Sequence, residues 1–508
     1  MSDRRFFLFL GIVFFLLISL PYLAAFIIGG EGFGGFLLNP IDGQSYLAKI
    51  GQGISGGWRF TLPYTDQPGS GAYLFLFYIC LGHFADLIGI TSLAIFHTSR
   101  LIGAGLMFWA MLFFFRSHLT DRYAQRLAFS TALLGSGLGW AAVLFGFFTS
   151  DFWVAEAYPF LSAYTNPHFT WGLALMLLML AGKLEKMPLI NLVMAAVLSL
   201  IQPFGVVLVI LVQGALFLET VIAKRRGITP EIWKDRRLQS LSLAALGAAS
   251  LLLYQYLAIR TDPVLSQWNQ QNITSSPGML DLWLSFSPVL ILAGAVSPLI
   301  WRERNKRIFI FWTGIGLLLI FVPWSLQRRF LTGLYVPLAG LSAEGIRWIK
   351  DRGVIRHSTL IAFWFLLILP TNIIILTSGM QAVINREEAI FTPRDFTQVL
   401  AWINENTSED DLILAGTRES LYIPPETGRR VLYGHPFETV QAAKEKAFVE
   451  DFMAGRFSPD RAAELIFLRD INYLVVEEDR SVFPMLREIP GLQTVHQGSS
   501  YQIFRVVE

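Results

Sequence analysis

Chemistry in this chain has to come from scattered acids, a histidine and an arginine doublet. Asp42 stands in Asn39-Pro40-Ile41-Asp42-Gly43-Gln44-Ser45-Tyr46, just beyond the first long apolar stretch. A carboxylate at the edge of a low-dielectric layer gains proton affinity by desolvation and becomes a useful base. The same residue also reads as a turn or cap aspartate before Gly43. Asp66, between Pro63 and Pro68, is either a turn former or a substrate contact. Asp151, Glu156 and His168 are acids and an imidazole of the kind that hold a hard divalent ion, or solvated loop charges, since their spacing matches no established ligand pattern. Arg328 and Arg329, in Gln327-Arg328-Arg329-Phe330, present two guanidinium forks that suit phosphate oxygens, or snorkel at an interface. Trp268, near Gln270, Gln271 and Asn272, offers an indole face and amides to a sugar, or serves its own loop backbone.

The composition decides what has to position these groups. In 508 residues the hydrophobic share is 54% and the charged share 15%, far from the balance of a water-soluble domain. The formal net charge of +2 gives no reason to expect nucleic acid as a partner. The single cysteine, Cys80, excludes an intrachain disulfide and a cysteine-rich metal site, and reads as a small buried hydrophobe. Arg4 and Arg5 precede Phe6 to Ile28, which is longer than a signal-peptide core and is expected to be a retained first transmembrane helix.

A hydrocarbon layer about 30 Å thick needs about 20 apolar helical residues. Candidate segments are 6–28, 72–89, 93–115, 127–148, 168–182, 188–201, 203–222, 238–258, 280–300, 308–323, 331–346 and 357–379. Lys and Arg cluster at Arg116 to Arg126, Lys183 to Lys186, Lys224 to Arg237, Arg302 to Arg307 and Arg347 to Arg356, and the positive-inside rule makes all of these cytoplasmic. The rule is obeyed only if one early segment does not cross. Segment 72–89, with His83, Asp86 and Gly89, is the weakest, and is expected to lie on the outer surface. About eleven crossings remain, with the N-terminus inside and the C-terminus outside. The outer face then receives 29–92, 149–167, 259–279, the turn at Ser325 to Arg329 and everything after 380. Arg100, in the middle of 93–115, is costly at that depth and is expected to face the bundle interior, paired with a carboxylate or touching substrate.

From about 392 the hydrophobic period changes and charge density rises. Thr392-Pro393-Arg394-Asp395 reads as a helix start, with the helix running to about Asn406. Strands at 411–416, 429–434, 473–477, 492–497 and 501–507 alternate with helices near 440–454, 458–470 and 482–489, so residues 381–508 are expected to form a compact α/β domain after a transmembrane module at 1–380. His435, in Tyr433-Gly434-His435-Pro436, reads first as a turn histidine capping backbone groups.

Several stretches are similar to a known class. Asp42 to Tyr46 with Ala48-Lys49, Gly56-Gly57-Trp58, Pro63-Tyr64-Thr65, Gly135 to Trp140, Asn166-Pro167-His168-Phe169, Gln327 to Phe330, Thr427 to Arg430 and Gly434-His435 resemble an uncharacterised bacterial group of the GT-C membrane glycosyltransferases, a class that includes protein O-mannosyltransferases and aminoarabinose transferases. The resemblance implies an α-helical polytopic fold in the cytoplasmic membrane with an extracytoplasmic C-terminal domain. It implies transfer of a sugar from a lipid-linked polyprenyl-phosphate donor to an acceptor at the outer face. Asp42 matches the class's first-loop carboxylate and would be the general base. Asp151 loosely matches a later acid, and Arg328 and Arg329 would hold the leaving phosphate. No cofactor is required by the sequence, although a divalent metal is compatible with it. Asp42 is followed by glycine where several families carry a second acid. Two other readings fit the same composition: a transporter or flippase of a lipid-linked saccharide, and a non-catalytic envelope scaffold.

Overall fold

The computed structural model describes residues 2–183, 187–223, 234–353, 355–478 and 480–507. Most of the basic stretch from Lys224 to Arg237 and part of Lys183 to Lys186 fall outside these. Contacts divide the chain into two compact units, one of Met1–Ala24, His97–Tyr254 and Thr274–Gln381, the other of Ala25–Phe96, Gln255–Ile273 and Ala382–Glu508.

The first unit is helical. Among the described residues, four helices are long and apolar enough to cross a membrane: Asp3–Gly29, Ser92–His118, Pro203–Ile222 and Arg236–Thr261. Three bent pairs raise the number to seven if each is one span: Arg122–Leu134 with Gly139–Phe145, Met279–Phe286 with Val289–Ile300, and His357–Ile368 with Pro370–Ile384. The expected spans 168–182, 188–201, 308–323 and 331–346 are shorter helices, Pro167–Leu180, Pro188–Ile201, Arg307–Leu319 and Tyr335–Asp351.

The breaks have local causes. Pro203 cannot continue the Pro188–Ile201 helix and starts the next one instead. At 135–138 the chain leaves the helix because it packs against the Ser285 backbone. A Cβ on Gly137 would sit 1.9 Å from Ser285 O, so only glycine fits. The segment expected as a straight span over 280–300 is instead bent by 82° between its two helices. Residues 335–346 of the Tyr335–Asp351 helix are buried throughout, and Tyr335 donates its hydroxyl to Ser136 O at 2.7 Å.

The second unit holds a five-stranded sheet. Its strands are β1 Leu412–Ala415, β2 Arg430–Val431, β3 Tyr473–Glu477, β4 Leu492–Gln497 and β5 Tyr501–Val506, in the order β2-β1-β3-β5-β4. β2, β1 and β3 are parallel, while β5 runs antiparallel to β3 and forms a hairpin with β4. One face of the sheet packs Leu412, Leu414, Leu474 and Val476 on helices Ala442–Met453 and Pro459–Leu468. The other packs Ile413, Val475 and Ile503 on helix Phe396–Asn406. That helix starts later than Thr392. The Thr392 hydroxyl donates to Gly32 O at 3.0 Å, which commits it to the chain at residue 32 and leaves the cap to Asp395.

Helices Pro40–Ile54 and Leu76–Ile88 belong to this unit and touch through glycines. A Cβ on Gly53 would lie 2.2 Å from Ile79 O, and one on Gly82 would lie 2.1 Å from Ile50 O. Leu76–Ile88 has 13 residues, about 20 Å at about 1.5 Å per residue. Its Phe84, Leu87 and Ile88 are exposed. Cys80, expected to be buried, is exposed on the same helix.

Candidate functional site

Residues 42, 45 and 49 share one face of the Pro40–Ile54 helix, because steps of three and four return to the same side. The wall opposite is supplied by 435–438. Lys49 is fully buried and donates to Glu438 Oε1 at 2.5 Å and to Ser45 Oγ at 2.6 Å. Ser45 in turn donates to the same Glu438 oxygen at 2.6 Å. The ammonium lies over the Phe75 ring, 4.5 Å from its centroid, a contact that stabilises a desolvated cation. Burial pushes the Glu438 carboxyl up, but the charge of Lys49 and the Lys49 and Ser45 hydrogen bonds outweigh it and hold Glu438 below the usual carboxylate range.

His435 connects this buried pair to Asp42. Its Nδ1 accepts from the backbone N–H groups of Phe437 at 3.1 Å and Glu438 at 3.2 Å. This is the capping role a turn histidine suggests. A nitrogen that accepts carries no proton, so the neutral ring is protonated at Nε2. Nε2 is buried with no hydrogen-bond partner among the described residues, and it faces Asp42 Oδ1 at 3.9 Å. Burial lowers the imidazole's proton affinity, against the opposing pull of Glu438 and Asp42. The Asp42 side chain is 48% exposed. A neutral donor at the base of the constellation thus points at a carboxylate that solvent or a ligand can reach.

Asp66 and Trp268, also expected at a site, and the neighbouring Asp262 are taken up by turn, core and cap. Asp66 accepts from Thr65 Oγ1 at 3.2 Å within its turn. Trp268 is buried among Phe60, Leu62, Leu74 and Leu265, so its indole is core and not an open platform for a sugar. Asp262 caps helix Pro263–Gln271 through Val264 N and Leu265 N, and also accepts from Ser70 N and Oγ.

In the first unit, Arg100 corrects the expectation of a carboxylate partner. Its guanidinium donates to the carbonyls of Ile18 at 3.1 Å and Ala163 at 2.9 Å, and stacks 4.4 Å from the Tyr22 centroid. These carbonyls, with His97 Nδ1 accepting from its Nε at 3.2 Å, engage it without a carboxylate. Asp151 is fully buried and accepts from Thr149 Oγ1, Thr371 Oγ1, Gly139 N and Gly137 N at 2.7, 2.9, 3.0 and 3.2 Å. Burial raises its proton affinity while these donors lower it, and the first effect prevails.

Glu156 and Arg328 meet at 3.6 Å, with Glu156 nearly buried and the guanidinium 4.7 Å from the Trp153 centroid. Arg329 lies next to Arg328 in the 3₁₀ turn Gln327–Leu331. His168 stands in the first turn of Pro167–Leu180, its ring 4.0 Å from that of Phe169. Glu156, Asp151 and His168 do not converge.

No protein-family model matches the chain, and no curated protein matches it. Solved structures do. The oligosaccharyltransferase of Archaeoglobus fulgidus in complex with Zn and sulfate superposes with a TM-score of 0.58 and 13% identity, covering 99% of this chain and 73% of that one. ArnT from Cupriavidus metallidurans gives 0.52 and 13%, covering 97% of both chains. The arabinofuranosyltransferase AftD from Mycobacteria gives 0.50 and 13%, covering all of this chain and 40% of that one. The fold is GT-C. At these identities the likeness is one of fold, and it extends over both units.

Among the described residues, no three His, Cys, Asp or Glu side chains come together at a metal-binding spacing. The residues that sequence reasoning passed over are Glu438, Ser45 and the second role of His435. One signal was available. Lys49 falls on the apolar face of an amphipathic helix between Leu47, Ala48 and Ile50, where a charge requires a buried partner.

Proposed function

We propose that the chain is a glycosyltransferase that moves a sugar from a polyprenyl-phosphate donor to an acceptor hydroxyl at the outer face of the cytoplasmic membrane, with Asp42 as general base. The observation that carries the reading is the half-exposed Asp42 carboxylate facing a buried, neutral His435 whose Nε2–H has no other partner among the described residues. The gap of 3.9 Å is too long for a direct hydrogen bond and is the span a bridging water or hydroxyl fills.

The step balances as follows. The acceptor hydroxyl proton passes to Asp42 as its oxygen bonds the anomeric carbon, and the carbon–oxygen bond to phosphate breaks with its electron pair leaving on the phosphate. His435, facing the carboxylate, orients the hydroxyl or water held between them. Arg328 and Arg329 are assigned the phosphate on the chemistry of guanidinium forks. Asp151, with its lone pairs taken by four donors, is reassigned from catalysis to positioning. Glu156 positions Arg328, and Arg100 holds helices together.

The membrane reading goes with this function. We propose eleven crossings, with the N-terminus inside, residues 1–380 as the transmembrane module, and an extracytoplasmic domain over 381–508. Support comes from the long apolar helices and from the basic clusters at alternate connections. The 13-residue Leu76–Ile88 helix, packed on Pro40–Ile54 and exposing apolar side chains, suits a position on the bilayer surface.

The test uses the full chain in membranes with a panel of labelled polyprenyl-phosphate monosaccharides. Asp42→Asn is expected to lower transfer about 10²- to 10⁴-fold, the usual worth of a general base, with an unchanged melting profile. Transfer at the wild-type rate in that variant would falsify the assignment.

A further inference from the structure

The first unit contains a second polar site, at the helix ends where the basic clusters lie. A cavity of about 450 Å³ opens between the C-terminal end of Ser92–His118, the end of Pro167–Leu180, the end of Pro203–Ala223, the start of Arg236–Thr261 and the turn at Arg304. Its polar lining is dominated by Lys183, Arg237 and Arg304, with Thr220 and Glu219. Among the described residues Glu219 is the one carboxylate of the lining, and it is shared. Arg304 Nε lies 3.7 Å from it, and Arg307 is hydrogen-bonded to it. Arg304 also donates to Thr220 Oγ1 at 2.5 Å. One acid between two arginines leaves the cavity electropositive, with Lys183 and Arg237 adding to that charge.

The floor is held by His118, whose ring nitrogens lie 3.1 Å from Asn305 O and 2.9 Å from Leu180 O, so the imidazole ties two helix ends and does not enter the cavity's chemistry. Two of the helices that form the cavity expose apolar side chains close along the chain to its lining: Leu218 and Ile222 on Pro203–Ala223, and Leu246 on Arg236–Thr261.

We infer that this cavity binds the phosphate of an anionic phospholipid. The chemistry shared with a free phosphate is a compact anion meeting ammonium and guanidinium donors. The exposed apolar side chains beside a basic recess are what acyl chains require and a free anion does not, and basic pockets between membrane helices suit such head groups. The site is separate from Arg328 and Glu156, which lie in the same unit at the other ends of these helices: Pro167–Leu180 and Pro203–Ala223 start near that side and end at this cavity.

The experiment titrates the purified full chain in neutral detergent with phosphatidylglycerol, phosphatidylcholine or inorganic phosphate, reading thermal melting and the number of lipids retained in native mass spectrometry. Phosphatidylglycerol is expected to raise the melting midpoint and to be retained, and phosphatidylcholine is not. Lys183→Ala is expected to weaken phosphatidylglycerol binding about fivefold and the double variant Lys183→Ala/Arg237→Ala about thirtyfold, at about fivefold per basic contact. The single variant carries the test if the double one does not fold. Equal effects of the two lipids, or undiminished phosphatidylglycerol binding in a folded variant, would overturn the inference. So would inorganic phosphate binding as tightly as the lipid, which would give the site to a free anion.

Discussion

Replacing Lys49 by Met should open the Pro40–Ile54 helix, and replacing Glu438 at the same time should close it again. The two charges sit 2.5 Å apart, and the lysine side chain is wholly inaccessible. At an effective dielectric near 20 they attract by about 6 to 7 kcal/mol before desolvation is set against it. Losing one partner strands the other in a poor solvent and typically costs about 3 to 5 kcal/mol, whereas replacing both by apolar groups of similar volume is often near neutral. Here the stranded Glu438 would keep only Ser45 and the nearby His435, and its Oε2 already has no hydrogen-bond partner among the described residues. Hydrogen exchange at the amides of Pro40–Ile54 reads this local opening directly. Lys49→Met should lower protection about 10²- to 10⁴-fold, and Glu438→Leu alone somewhat less because the lysine keeps its aromatic contacts. The double variant should recover to within about tenfold of wild type. The reasoning fails if either single variant stays within tenfold of wild type, or if the double variant is no better than Lys49→Met.

Three further outcomes follow from the same contacts. Because burial holds the His435 imidazole below its ordinary proton affinity, the unfolded chain takes up the proton first. The stability this residue contributes is therefore full above pH of about 6.5 and falls as pH drops below it; melting midpoints between pH 8 and 5 should show a steeper acid loss for wild type than for His435→Gln. Gly82→Val places a side chain on the Ile50 carbonyl and should cost at least the about 1 to 3 kcal/mol usual for overpacking; an unchanged melting midpoint would refute the close approach of the two helices. Asp151→Ala leaves four buried donors without an acceptor at about 1 to 3 kcal/mol each, so the yield of folded protein should fall sharply while transfer per folded molecule changes little; a stable but inactive Asp151→Ala would return the residue to the catalytic list.

Much of the fold is legible along the chain because its causes are local. Apolar runs, prolines at first helical positions and alternating strand patterns place the strand Tyr473–Glu477 and the helices Pro188–Ile201 and Pro203–Ala223 at or within a residue of where they are read. Departures arise where a distant segment decides. The 280–300 stretch is apolar enough for a span, but hydropathy carries no information about an 82° bend. Thr392 has the look of a cap and is claimed by Gly32. The buried pair of the candidate site joins residues 389 positions apart, a separation at which one sequence can show that Lys49 needs a partner without saying which acid it is. Arg100 illustrates the converse: its burial was readable, but its partners are carbonyls, which every residue has.

The acids of this chain differ in how fully their lone pairs are engaged, and that difference argues for Asp42 more strongly than its position does. Asp262 accepts from four donors, two in its own helix start and two in Ser70, and these hold its carboxyl below the usual range against the effect of burial. Asp281 accepts from Ser150 N, Ser150 Oγ and Ser285 Oγ. Asp151 is as fully engaged and is also out of reach of solvent. Taking a proton at any of these means breaking hydrogen bonds that hold loops in place, at about 1 to 3 kcal/mol for each buried donor released. Asp42 has no donor within hydrogen-bonding distance among the described residues, only the Nε2 of His435 just beyond it, and about half of its side chain is accessible. It can accept a proton from a bound hydroxyl without dismantling anything, while the imidazole beneath it is held by two backbone N–H groups in the one tautomer that can donate toward it.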